Sequence, residues 1–345
     1  EAWQLETESK SRGKKKLLLN PAYRNLVGIE VESNEVAAVL TDFCGGILQE
    51  ERVPIDPSFS REAILEAMFG LVDKMLAAAA ETGRKVMGIG AATIGMIDLR
   101  SDTVLFTSRL PNWKDVRLKG IIEERYSLPV EVADQVIAKL HAERWFGDAD
   151  IRDSAVFVDM GETFGVSVYY NRQMLKSLHG SIGEIGHFCV SPEQKRCTCG
   201  NSGCLQTVAS AGVILKSVQD ALREGTISVL NDVTGHEPSR VTIPMILRAA
   251  EEGDRISENI LANAALYIGK SISYVVNLLC PELIILGGDL IKTGDYFANL
   301  VISEMKRDSL HFTVRSLRIR KASNPDRGGV LGAVCLTLDE FFKRA

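Results

Sequence analysis

The chain runs to 345 residues, 46% hydrophobic and 25% charged, with a formal net charge of −5. That length suits about two domains at roughly 150 residues each, and the composition is that of a globular chain with a real core. The acidic balance argues against a body built as a nucleic-acid surface, and no apolar run approaches the ~20 residues of a membrane span.

In chain order, the N-terminal "EAWQLETESKSRGKKK" holds no apolar signal core, so secretion is not expected. The chain opens on Glu1 rather than Met, and we expect sequence upstream of it. The segment "NLVGIEVESNEVAAVLTDFCGGILQEERV" alternates and is β-branched, which predicts two or three antiparallel strands with a turn at Ser33-Asn34. "SREAILEAMFGLVDKMLAAAAETG" sets apolar residues at helical spacing, with Ser60 as N-cap and Gly83 as stop. "KVMGIGAATIG" reads as a buried strand, "LKGIIEERYSL" as a helix and "PVEVA" as the next strand. The order then recurs. "DSAVFVDMGETFGVSVYYNRQMLKSL" gives strands and a hairpin, residues 208–277 a long helical region, and "PELIILGGDLI" a buried strand ending in glycines. Two α/β halves follow, each opening with a meander of strands. We place the first domain at residues 20–133, completed by a returning helix within 325–345, and the second, larger one at 134–324.

Seven cysteines, an odd number, fit a reducing cytoplasm better than a disulfide framework. Three of them, Cys197, Cys199 and Cys204, fall in "CTCGNSGC", and His187 lies ten residues upstream in "GEIGHFCV". Three thiolates and an imidazole are a complete tetrahedral set for a structural Zn²⁺, and Gly200 and Gly203 let the loop fold tightly around an ion. Unliganded thiols or a disulfide suit the stretch less well, because "KRCTCGNSG" is too polar for core and cysteines one residue apart pair badly.

"GSIGEIGHFCV" followed by "CTCGNSGCLQT" resembles the signature of the ROK family of repressors, open reading frames and kinases. The resemblance continues through "GIEVESNEVAAVLTDFCGGIL", "LPNWKDV", "LPVEVADQ", "AERWFG" and "ELIILGG". It implies an actin-like, ribonuclease H-like two-domain ATPase fold, and either sugar phosphorylation or repression of sugar genes. For the cysteines it implies a zinc knuckle bracing the sugar pocket, with His187 holding zinc through one ring nitrogen and facing the sugar with the other.

The kinase motifs are altered. The family's first phosphate loop, D-x-G-G-T, is here Glu30, Val31, Glu32, Ser33, Asn34, followed by Glu35, with no glycine left. Glu32 and Glu35 place negative charge where phosphate would sit, a repulsion of ~1 kcal/mol per pair at ~4 Å in water and several-fold more in a cleft. The second loop, G-T-G-x-G, is "GETFG": Gly161 and Gly165 remain, with Glu162 and Thr163 between. Only the Gly287-Gly288 pair is intact. At the family's Asn-Asp, whose carboxylate takes the proton of the sugar hydroxyl, stand Asp134 and Gln135, and Gln accepts no proton at neutral pH. A one-residue slip would restore Asp134 as base.

The sugar pocket is changed rather than erased. Thr93-Ile94 replaces a Pro-Gly turn, Arg109 replaces the Asn before Leu-Pro, and Gln206 replaces the glutamate after the last cysteine. We expect a small polar ligand, a sugar or sugar derivative, in the cleft between the halves. Its contacts would come from Arg109, Asp134, Gln135, Glu184, His187 and Gln206, with an anionic group paired to Arg109. In "SRGKKKLLLN" a basic segment precedes the first strand, at the place where ROK repressors close the wing of a winged helix-turn-helix, with "WQLET" as the preceding wing strand. Arg12, Lys14 and Lys15 are then expected DNA-phosphate contacts, residues 1–19 the wing's end and linker, and the recognition helix lies upstream. The resulting expectation is a cytoplasmic, sugar-responsive regulator, homodimeric or homotetrameric, holding zinc and lacking kinase activity. A sugar kinase with degenerate loops and a protein-binding scaffold are the alternatives.

Overall fold

The computed structural model describes residues 2–5, 17–177 and 182–344. The chain divides into two compact units: Glu1–Asp148, Lys176–Ser181 and Asp326–Ala345 form one, Ala149–Leu175 and Ile182–Pro325 the other. Arg12, Lys14 and Lys15 lie outside the described residues.

The first unit opens with a two-stranded ribbon, β1 (Trp3–Leu5) against β2 (Leu17–Leu19). Its meander is β3 (Asn25–Val31), β4 (Glu35–Thr41) and β5 (Ile47–Pro54), followed by α1 (Arg61–Glu81) and β6 (Val86–Thr93). A small hairpin, β7 (Met96–Asp98) and β8 (Thr103–Phe106), then leads to α2 (Leu118–Tyr126), β9 (Val130–Asp134) and α3 (Gln135–Phe146). The five main strands lie in the order β5-β4-β3-β6-β9, antiparallel through the meander and parallel from β3 to β9.

The second unit repeats the plan. It contains β10 (Ser154–Met160), β11 (Phe164–Tyr170) and β12 (Gln173–Met174), then a 3₁₀ turn at Ile185–His187. Helices α4 (Gln206–Ala209), α5 (Ala211–Arg223), α6 (Val229–Thr234), α7 (Ile243–Glu251) and α8 (Arg255–Leu279) precede β13 (Leu283–Gly287). After α9 (Asp289–Lys292), α10 (Tyr296–Asp308), α11 (His311–Ser316) and β14 (Arg318–Lys321), the chain returns to the first unit as α12 (Gly328–Arg344). Its sheet order, β12-β11-β10-β13-β14, has the same mixture of antiparallel and parallel pairs. The predicted helical region 208–277 is thus several helices, broken where Gly225, Gly235 and Gly253 take positive φ. Among the described residues no helix is long and apolar enough to cross a membrane.

The sequence explains the packing. Every residue of β3 is buried, as a strand covered on both faces must be: α1 lies on one face and α12 on the other. Ser60 caps α1 by accepting from Ala63 N at 3.2 Å, and the helix turns Ile64, Met68, Leu71, Val72 and Met75 onto the sheet. Each such side chain contributes ~1.5–3 kcal/mol by burial. On the other face α12 approaches so closely that a Cβ at Gly90 would stand 1.8 Å from the Ala333 carbonyl oxygen. Gly90→Ala is therefore expected to cost at least ~1–3 kcal/mol in a denaturation midpoint, since neither backbone can yield. Gly70→Ala on α1, where nothing lies within 4 Å, should be neutral or stabilising by up to ~1 kcal/mol.

The expected boundary before residue 134 is displaced. Helix α3 belongs to the first unit, because it packs along α12. Asp339 of α12 takes hydrogen bonds from Trp145 Nε1 (2.7 Å) and Arg144 Nη1 (3.2 Å) and lies 2.8 Å from His141 Nδ1. Burial alone would raise the Asp339 carboxyl, but these α3 partners hold it down at about 2. A clamp made nearly two hundred residues apart fixes where the unit ends.

Candidate metal centre

The Cys/His cluster is assembled by a short antiparallel ladder in the second unit. Leu205 N donates to Phe188 O (2.9 Å), Val190 N to Gly203 O (3.0 Å), and Cys189 bridges Cys204. This sets the 3₁₀ turn carrying His187 beside the last cysteine. The loop between closes through Cys197 N to Asn201 O (2.8 Å) and Gly200 N to Cys197 O (3.0 Å). Gly203 is required here: its φ is +71°, and a Cβ would stand 2.4 Å from Ser191 O.

The donor atoms of His187, Cys197, Cys199 and Cys204 all lie within 4.8 Å of one another. Cys199 Sγ and Cys204 Sγ are 3.7 Å apart, and Cys197 Sγ and His187 Nδ1 3.5 Å. A tetrahedral ion with metal–sulfur bonds of ~2.3 Å and metal–nitrogen bonds of ~2.05 Å puts sulfurs about 3.8 Å apart and sulfur and nitrogen about 3.6 Å apart. The four residues fit a closed, four-coordinate metal, with His187 turning Nδ1 to the sulfurs. Burial raises the Cys197 thiol, but hydrogen bonds from Cys199, Cys204 and His187 outweigh it and bring the group to about 6. At Cys204, fully buried, burial and the neighbouring thiols act together and push the pKa far up.

Gln206, expected to face a ligand, instead donates Nε2–H to Cys197 Sγ at 3.2 Å. Glu184 is exposed, and its carbonyl accepts from His187 N at 3.1 Å. In the first unit Asp134 caps α3 by accepting from Val136 N at 2.8 Å. Gln135, the next residue, is buried with its Oε1 unpartnered among the described residues. The guanidinium of Arg109, half-buried, has no partner among the described residues either.

Glutamate side chains lie at both places where the resemblance puts a phosphate loop. In the first unit Glu30 is 4% exposed, its Oε1 without a hydrogen-bond partner among the described residues and pressed against Gly329 in the first turn of α12. Burial, reinforced by Glu32, pushes Glu30 up to about 8, against the pull of Lys139 and Arg52. Glu35, expected to present free charge, is ion-paired with Arg52, which also binds Glu50 and the Asp326 carbonyl. In the second unit Glu162 Oε2 accepts from Gly212 N at 3.2 Å, at the N-terminus of α5. The Gly287-Gly288 pair has a structural reason to persist. A Cβ at Gly288 would stand 2.3 Å from Met160 O, and one at Gly287 would strike the Phe157 ring at 2.4 Å.

Residues 26–340, from the first strand of the meander nearly to the end of α12, match the ROK family. The chain belongs to the ROK family. Among ROK proteins it is 25% identical over 334 residues to the xylose repressor of Caldicellulosiruptor bescii, covering 96% of this chain and 83% of that one. It is 27% identical over 308 residues to a glucokinase of Halalkalibacterium halodurans, covering 89% of this chain and 92% of that one. A solved ROK family transcriptional regulator, described as a homolog of the E. coli MLC protein, superposes with a TM-score of 0.83 at 25% identity, over 95% of this chain and 81% of that one. Repressors and a kinase thus stand among its relatives at similar identity.

Proposed function

We propose that this ROK chain is the effector-binding and oligomerisation region of a sugar-responsive transcriptional regulator that does not phosphorylate its ligand. One observation carries it. In each unit a glutamate side chain occupies a helix N-terminus beside the phosphate loop, where backbone N–H groups and the helix dipole favour an anion. Glu162 uses the Gly212 N–H that a phosphate oxygen would need, and buried Glu30 fills the space at Gly329. With Gln135 at the base position, neither phosphate binding nor proton removal has its group. The repressor names of its relatives support the same side of the choice.

Zinc is the ion the Cys₃His donor set favours, and it would act structurally, since all four positions of the tetrahedron are taken by protein. It would brace the turn carrying Glu184 and His187. We propose these two as effector contacts in the second unit, and Arg109 and Gln135 as candidate contacts in the first. Asp134 and Gln206 are weaker candidates because both are engaged locally. The β1–β2 ribbon supports reading residues 1–19 as the end of a DNA-binding wing, in which Arg12, Lys14 and Lys15 would contact phosphates.

The deciding experiment is an ATP-dependent phosphorylation assay over pentoses, hexoses and hexosamines, beside calorimetry with the same sugars. The expected outcome is sugar binding with no turnover above a Cys204→Ala control. Phosphoryl transfer to any of them would overturn the reading in favour of a kinase.

A further inference from the structure

We propose that Cys189 is an oxidation site coupled to the Cys₃His cluster: hydrogen peroxide joins it to Cys204 as a disulfide and so takes that sulfur from the metal. The inference rests on the metal reading and goes beyond it, because Cys189 is not one of the four donors. Register carries it. Cys189 and Cys204 stand opposite each other in the short ladder, flanked by the bonds from Leu205 N to Phe188 O (2.9 Å) and from Val190 N to Gly203 O (3.0 Å). Those two bonds mark a non-hydrogen-bonded antiparallel pair, whose side chains share a face and whose Cα atoms lie ~4.5 Å apart. Disulfides take Cα separations of ~4.4–6.8 Å, so the pair can be bridged, at the short end of the range. Among the described residues no other two cysteines face each other across a strand pairing.

The two thiols differ in access. Cys204 is fully buried with its sulfur 3.7 Å from Cys199 Sγ, whereas Cys189 is exposed. An oxidant arriving from solvent therefore reaches Cys189, and Cys204 is the neighbour placed to resolve the product. The Cys189 sulfur attacks one peroxide oxygen, the O–O bond breaks, and the leaving hydroxide departs as water with the thiol proton, which leaves a sulfenic acid. The Cys204 sulfur then attacks the Cys189 sulfur with the electron pair it had given to the metal. The S–S bond forms, the S–O bond breaks, and the hydroxide takes a proton from solvent. Two electrons have passed from the two sulfurs to peroxide. His187, Cys197 and Cys199 remain as donors, an incomplete set for a closed tetrahedral ion, so the ion is released. A bridge at the short end of its range is strained and readily reduced, so a thiol reductant restores the cluster.

The test is the full chain loaded with zinc and treated with hydrogen peroxide, with zinc release followed by a chromogenic chelator. Native protein should lose its zinc and take it back once reduced and resupplied. Cys189→Ser keeps the four donors and should start with as much zinc as native protein, then hold it through the same treatment. Cys280→Ser, at an exposed cysteine elsewhere, should release zinc as native protein does. Peptide mapping without reduction locates the bond. Trypsin cuts after Lys195 and Arg196, between Cys189 and the three cluster cysteines, so a Cys189–Cys204 disulfide joins two peptides. A bond between two of Cys197, Cys199 and Cys204 stays within one peptide. Joined peptides with the bond at Cys204, found in oxidised native protein and absent from Cys189→Ser, are the expected result. Equal zinc release from native protein and Cys189→Ser, or a bond confined to the three cluster cysteines, would overturn the inference and leave the metal reading intact. Native protein that carries no zinc would overturn both.

Discussion

Removing the metal is expected to loosen the ladder between residues 188–190 and 203–205 before it affects anything else in the second unit. Native protein should carry one zinc per chain, and a strong chelator should release it. A ligand that binds only the folded state stabilises by about 4 kcal/mol at a thousandfold excess over its Kd, so the apo protein should lose at least that much. The amides of Val190, Cys197 and Leu205, which close the ladder and its loop, should show the largest rise in hydrogen exchange. Cys204→Ala should reproduce the loss, but that substitution also deletes a fully buried atom, which costs ~1 kcal/mol by itself. The chelator separates the two terms: it should destabilise native protein and leave Cys204→Ala unchanged. Cys280→Ala, at an exposed cysteine outside the cluster, should behave as native. Metal analysis without zinc, or equal chelator sensitivity in all three proteins, would rule the site out.

The Cys₃His cluster was legible in the sequence because its residues are chemically distinctive and lie within eighteen positions, so spacing alone narrows the geometry. The meander strands and α1 were legible for a similar reason: all-buried β3 and amphipathic α1 carry their periods locally. What was not legible depends on distant partners. Helix α3, "QVIAKLHAERWF", was not read from the sequence, nor was the hold that Asp339 has on it in the first unit. Glu35 reads as free charge until Arg52, seventeen residues on, is seen beside it. Gln206 reads as a pocket residue because its place in the signature is local, while its contact with Cys197 appears only once the loop is closed. The small hairpin β7–β8 was missed altogether, since two strands of three and four residues give no period to detect.

The buried Glu30 should make the stability of the first unit fall as pH rises, the reverse of an ordinary paired carboxylate. Its pKa is about 8 in the fold against 4.5 for the free group, so between those values the native state holds a proton that the unfolded chain has released. Unfolding free energy must then decrease with pH across that window. The stabilisation is complete below about 4.5 and lost through about 8. A span of 3.5 pH units at 1.36 kcal/mol each bounds the loss at about 5 kcal/mol. The first turn of α12 at Gly329 reduces it, because a helix N-terminus favours an ionised carboxylate by ~0.3–2 kcal/mol. A loss of about 3 kcal/mol is the expected size. Lys139 from α3 and Arg52 from β5 also favour the charged form, but Arg52 is already committed to Glu35 and Glu50. Glu30→Gln keeps the shape and removes the titration. It should match native protein near pH 5 and exceed it by about 3 kcal/mol above pH 8 in urea denaturation. Protonation of the metal ligands also changes stability with pH, yet it is common to both proteins and cancels in their difference. If that difference stays flat from pH 5 to pH 9, Glu30 is ionised throughout, and its carboxylate is held by the α12 N-terminus as a fixed anion instead.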